Sequence, residues 1–148
     1  MTFTASGLFY LSEKDVKQND SAIDYIADSI KCALFTNSVT TPNYDTNTAY
    51  AAAPFNANEV GTPSGGIALA SQAFSISSGT MTFDANDTAW GSQTLTNARG
   101  TLIYDDTIST PTSKPALIGV TFGADYSTTS GVLTIVWNAS GIVTWTGY

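Results

Sequence analysis

Residues 131–137, Gly131-Val132-Leu133-Thr134-Ile135-Val136-Trp137, alternate without a break. Val132, Thr134 and Val136 face one way; Leu133, Ile135 and Trp137 face the other. Period two is the mark of an extended strand, because successive side chains leave opposite faces. Shorter apolar runs recur along the chain at residues 31–36, 80–83, 101–104, 116–122 and 142–145. Residues 67–76 alternate in part, through Ile67, Leu69, Phe74 and Ile76. Asp84-Ala85-Asn86-Asp87 is turn chemistry, Asp105-Asp106 ends the run before it, and Leu95 stands alone. Residues 39–66 hold Pro42, Pro54, Gly61, Pro63, Gly65 and Gly66 among many Asn and Thr, which predicts a long loop. Loops of that length in compact domains are uncommon and often functional.

One helix is expected early. Asp20 and Ser21 supply a cap and Asp24 an acid in the first turn. Ile23, Ile26, Ala27 and Ile30 then follow at i, i+3, i+4, i+7. Residues 1–17 show little periodicity yet carry Phe3, Leu8, Phe9 and Tyr10. An isolated terminus of this kind is poorly ordered. It is expected to be an extended arm that orders against a neighbouring subunit. The pattern as a whole predicts a mainly β chain, a single-domain antiparallel β-sandwich or barrel over residues 1–148, with one short N-terminal helix and that arm. No repeat, linker or charge block divides it.

Composition narrows the function. Of 148 residues, 12 are acidic and 5 basic, giving a net charge of −7, and there is no His and one Cys. A His-based triad, a His general base, a His-ligated metal and an internal disulfide are therefore excluded. The acidic balance argues against nucleic acid, whose phosphates need clustered Lys and Arg. No apolar stretch approaches the roughly 18 residues a membrane helix needs, so no membrane association is expected. The first residues lack a basic region followed by an apolar run, which predicts a protein kept in the cytosol or packaged from it into a particle.

The candidate chemical sites fail one by one. Asp105 and Asp106 are adjacent on a strand, so their carboxylates diverge. Asp84 to Asp87 lacks the glycine and closing Glu of a calcium loop, with Leu95 at the position of that Glu. No serine lies in a G-x-S-x-G elbow. Cys32 sits inside an apolar run, where a thiol is a small inert hydrophobe. The glycines of residues 61–66 lack a following Lys and helix. Trp137 and Trp145 lie in strand patterns and are expected in the core. Trp90, between Asp87 and Gly91, is expected at an exposed or interfacial position. No catalytic residue, metal site or cofactor is assigned.

What remains is a surface rich in small hydroxyls, with 23 Thr and 16 Ser, and poor in charge, at 11% against roughly 25% in an ordinary soluble domain. Such a surface costs little to desolvate on contact. It predicts a protein built for assembly.

Several strings, in order, resemble one family. Asp28-Ser29-Ile30-Lys31-Cys32-Ala33-Leu34-Phe35-Thr36 resembles "D-x-I-K-V-A-L-F-T", and Asn58-Glu59-Val60-Gly61-Thr62-Pro63-Ser64-Gly65-Gly66 resembles "N-E-V-x-G-x-G-Y-x-x-G-G". Phe83-Asp84-Ala85-Asn86-Asp87-Thr88-Ala89-Trp90 resembles "F-D-A-D-D-V-x-W", and Ala98-Arg99-Gly100-Thr101-Leu102-Ile103-Tyr104-Asp105 resembles "A-R-Y/G-A-V-L-Y-x-D". Residues 117–123 and 134–142 resemble "L-I-G-Y-I-D-F-G" and "T-I-x-W-x-A-x-G-I". Together, over residues 21–143, they look like a family of small structural, decoration- or cement-like virion proteins of tailed bacteriophages. The chain departs at Gly61-Thr62-Pro63, where the family loop carries Gly-Tyr.

The resemblance implies a non-enzymatic virion component on the capsid surface, assembled in the host cytoplasm. Capsid decoration, bridging capsomers and stabilising the head, is the first expectation. Its partners would then be the major capsid protein and copies of itself, as a homotrimer. The alternative is a neck, collar, head-fibre or tail-associated protein, with a carbohydrate- or receptor-binding face. Interface residues are expected at Phe3, Leu8, Phe9, Tyr10 and Trp90, with the 39–66 loop a second contact.

Overall fold

The computed structural model describes residues 3–146. Met1 and Thr2, the first residues of the expected arm, lie outside the described residues. The elements are β1 (Gly7–Leu8), α1 (Tyr10–Lys17), β2 (Ile30–Thr36), β3 (Glu59–Val60), β4 (Ile67–Ala68), β5 (Ala73–Ser77), β6 (Thr80–Asp84), β7 (Thr88–Asp105), β8 (Ala116–Ile135) and β9 (Val143–Thr146). They form two antiparallel sheets in a β-sandwich. The larger has the order β1-β8-β7-β2-β3, with β4 also pairing β2. The smaller has the order β5-β6-β9.

The apolar run of β2 explains why the larger sheet is covered on both faces. Its alternate side chains enter two separate cores. Ile30, Cys32 and Leu34 join Leu69, Phe83, Trp90 and Leu133 in the core under the smaller sheet. Ala33 and Phe35 join Phe3, Phe9, Val39, Phe55 and Tyr104 on the opposite face. A strand buried on both sides must be apolar throughout, and the interruption at Lys31 is offset by its ion pair with Asp106 at 2.7 Å. At Ala116–Ile118 the ladder slips, with Tyr104 opposite Ala116 but Ile103 opposite Ile118. The extra residue, Leu117, turns to the same core as Ile118, as a bulge requires.

Two helix expectations change places. Residues 20–30 do not form a helix. Asp24 accepts backbone N–H bonds from Ile26 and Ala27, and the Asp28 carboxylate accepts one from Asp24. These Asx bonds close one turn and stop it. Ile30, which completed the helical spacing, belongs to β2. The helix is instead α1, inside the segment expected to be an arm. Its inner contact is polar: Ser12 donates to the Ala116 carbonyl at 2.6 Å.

The arm itself is part of this chain's own fold. Phe3 and Phe9 are fully buried, and β1 pairs with β8 at Gly7↔Gly119 and Leu8↔Ile118. Gly100 admits the Phe3 ring, since a Cβ there would meet it at 2.5 Å. The 39–66 loop covers the same core. Phe55 packs on Phe3, Phe9 and Phe35, with ring centroids 5.0–6.4 Å apart. Tyr50 stacks on Tyr104 at 4.4 Å. Glu59 fastens the loop by accepting from Tyr50 Oη at 2.7 Å and from the Gly65 N–H at 2.7 Å.

β7 and β8 form one long hairpin, and the expectation of two short strands with an isolated Leu95 underestimates it. Its outer part, Thr88 to Asn97 against Tyr126 to Ile135, has repeated register shifts. Hydroxyls fill the gaps in the ladder. Thr128 Oγ1 accepts from the Leu95 N–H, Ser127 Oγ from the Asn97 N–H, and Thr94 Oγ1 from the Ser130 N–H. Part of the Thr and Ser excess therefore satisfies backbone groups that a slipped register leaves open.

Candidate interaction surface

The five expected interface residues separate. Phe3, Phe9 and Trp90 are fully buried in the two cores and cannot meet a partner directly. The reason for Trp90 is local. Thr88-Ala89-Trp90 alternates buried, exposed, buried, so the indole follows Thr88 inward toward Leu95 and Leu133. Leu8 is half-buried against the core, and only Tyr10, at the start of α1, stands out in solvent. The arm as an intermolecular contact through Phe3 and Phe9 is thus corrected to an intramolecular cover.

The three tryptophans do not share an exposed platform. Trp137 is half-buried, its N–H bonded to Asp87 at 3.0 Å and its indole N–H to Thr88 Oγ1 at 3.3 Å. Trp145 is half-buried and lies 6.0 Å from the Phe74 ring.

The candidate chemical groups are structural. Cys32 is buried with its Sγ 2.9 Å from Thr101 Oγ1. Burial pushes its thiol up to about 12, so thiolate is scarce at neutral pH. Asp105 and Asp106 diverge. Asp106 is partly buried, which favours its neutral form, but Lys114 and Lys31, each at 2.7 Å, hold its carboxyl below the usual range. Asp105 is fully buried. Its Oδ1 accepts from the Thr107 and Ile108 N–H groups, while no fixed donor reaches Oδ2. The carboxyl of Asp28 faces it instead. Burial first, and Asp28 next to it, push Asp105 up to about 6. Two facing carboxyls are satisfied only when they share a proton. Among the described residues, no three Asp, Glu, His or Cys side chains group as a metal site. No helix of the described residues is long and apolar enough to cross a membrane.

Exposed apolar side chains lie on sheet surface instead. On the smaller sheet, Ile76 is 79% exposed, with Phe74 and Met81 beside it. On the outer hairpin, Val132 and Val136 are 59% and 73% exposed, on the outward face that the alternation at 131–137 assigns them. Phe122, Tyr126, Leu133, Thr134, Ile135 and Val136 line a groove of about 330 Å³ along β8. Sequence reasoning singled out none of these as contact residues. The signal was present in the strict alternation, which names Val132 and Val136 as the apolar residues on the face opposite the core.

No family model, curated protein or solved structure matches this chain.

Proposed function

We propose that this chain is a non-enzymatic structural protein of a tailed-bacteriophage virion, and within that class a capsid decoration protein. The observation that carries the reading is the division of the molecule. Cys32 and Asp105 are buried and Asp106 is ion-paired to two lysines, while apolar side chains such as Ile76 and Val132 stand exposed on sheet surface. A protein of that design works by being covered. The ordered resemblance over residues 21–143 supplies the setting.

The mechanism is mechanical. Packaged DNA pushes capsomers apart. A small protein that binds only the assembled lattice stabilises it by mass action. A standard protein interface buries on the order of 1,600 Å², and here the contact would rest on the exposed side chains of the smaller sheet, Ile76 with Phe74 and Met81. The interior aromatics keep the scaffold rigid.

Cryo-electron microscopy of the native particle that contains this chain tests the reading. Density for the chain at every capsomer junction is expected. Density confined to the portal vertex, collar or tail moves the protein to the neck or fibre class. A purified particle without the chain overturns the virion assignment.

A further inference from the structure

The outer hairpin leaves an open strand edge. On the side away from β7, β8 has a strand partner only at Ile118 and Gly119, where β1 lies. Ser6 and Phe3 extend that cover to Thr121, through the Thr121 N–H to Ser6 Oγ and Thr121 Oγ1 to the Phe3 carbonyl. From Phe122 to Ile135 no strand of the described residues pairs with that edge. Open edges in soluble proteins are ordinarily guarded by Lys, Pro, inward charge or a β-bulge, and of these the β8 edge has only the shifting register against β7. This one has no Lys and no Pro, and its single charge, Asp125, is tied to Arg99 at 3.2 Å within the same chain.

Charge selects the occupant. The chain carries −7, so two copies repel across most approaches. The ribbon is the exception. Residues 88–97 contain no Asp, Glu, Lys or Arg, and neither does any residue after Asp125. Two copies meeting here bring no uncompensated charge together. A basic partner finds nothing on the ribbon to pair with. A strand edge is also complementary to its own antiparallel image, as a two-fold contact requires. Tyr126, packed edge-on against Phe122 at 6.0 Å, and Val132 and Val136 supply apolar area beside the edge.

We infer that the edge of β8 from Phe122 to Ile135 is the surface on which a second copy of this chain docks, by edge-to-edge strand pairing. The pairing extends the larger sheet across two molecules. It does not depend on the virion reading: a chain that associates this way but is missing from every particle keeps the inference and loses that reading.

Sedimentation velocity of the purified full chain over a concentration series tests it, with two matched variants. Val132→Glu/Val136→Glu places two acids beside the edge at exposed positions. Ser75→Glu/Ile76→Glu places the same charge on β5, the edge of the smaller sheet. Wild type is expected to associate, and the β8 variant to raise the dissociation constant by about a hundredfold or more. The β5 variant should behave as wild type, and circular dichroism should be the same for all three. A wild type that stays monomeric at every concentration overturns the inference. So does association weakened by the β5 variant and not by the β8 variant.

Discussion

The two halves of the β7–β8 hairpin share the same strands but have different surroundings. In the inner half, Gly100 to Tyr104 pairs with Ala116 to Thr121, β2 and β1 flank the pair, and a core lies on each face. In the outer half, Thr88 to Asn97 pairs with Tyr126 to Ile135. Only one face meets a core, through Trp90, Leu95 and Leu133, and the β8 edge is open. The inner ladder is nearly regular. The outer one slips repeatedly and is mended by Thr and Ser hydroxyls. Stability is therefore concentrated at one end of the hairpin and available surface at the other. A contact protein needs both, and one long pair of strands connects them rigidly.

The largest expected effect comes from uncovering the inner half. Deleting residues 1–11 removes two fully buried phenylalanines and β1. Each Phe truncated to Ala costs about 3–5 kcal/mol, and the sum rivals the roughly 5–15 kcal/mol stability of a whole domain. Thermal unfolding followed by near-ultraviolet circular dichroism should find no cooperative transition. A truncated chain with a wild-type transition would restore the segment to the role of a detachable arm.

Trp90→Ala attacks the outer half from its buried side and should cost about 3–5 kcal/mol. Val132→Ala, on the opposite face of the same ribbon, should change stability by less than about 0.5 kcal/mol. Urea denaturation of the two variants measures the contrast; equal losses would mean that both faces of the ribbon are packed.

Asp105 sharpens the comparison at the closed end of the hairpin. Its carboxyl is raised from about 3.9 in an unfolded chain to about 6 in the fold. The raised value means that the folded state holds the proton more tightly. Its stabilising contribution is therefore complete below about pH 4 and lost as pH rises through 6. The difference is on the order of 2–3 kcal/mol. Asp106, held low by two lysines, acts in the opposite direction and loses its contribution as pH falls below 4. Asp105→Asn keeps an acceptor for the Thr107 N–H and offers Asp28 a permanent donor. Melting temperature against pH should fall between pH 4 and 7 for wild type and flatten for the variant; parallel curves would remove Asp105 as the cause.

The smallest effect is expected at Asp125. It bonds Arg99 at 3.2 Å and the Asn37 amide at 2.6 Å, all at the surface. Asp125→Ala should cost no more than about 1 kcal/mol by thermal denaturation. A larger loss would mean that this pair, rather than the inner ladder, holds the hairpin in place.

The sequence was most legible where burial is regular. β2 reads as an apolar run because both its faces are covered, and residues 131–137 alternate because one face is. β9 follows the same rule. The failures have physical causes. Ile23, Ile26, Ala27 and Ile30 imitate a helical face, but Asp24 and Asp28 satisfy backbone groups locally and end the turn. α1 escaped notice because its buried residue is Ser12, so no apolar stripe marks it; Glu13 and Lys17 at i, i+4 were the available hint. The first half of β7 was missed because each register shift breaks period two, leaving Trp90, Leu95 and Ala98 at uneven spacing. Phe3 and Phe9 looked like a sticky arm because nothing local reveals that Gly100 and the 39–66 loop form their pocket. The open edge of β8 was out of reach, since an edge is defined by which strands lie beside it.

Hydrogen exchange with mass spectrometry, on dilute and concentrated samples of the full chain, tests the division of the hairpin most directly. Peptides covering residues 98–105 and 116–121 should be protected equally at both concentrations. Peptides covering 122–135 should exchange faster when dilute and gain protection when concentrated. Protection at 122–135 that is already complete in the dilute monomer and does not change with concentration would contradict the account.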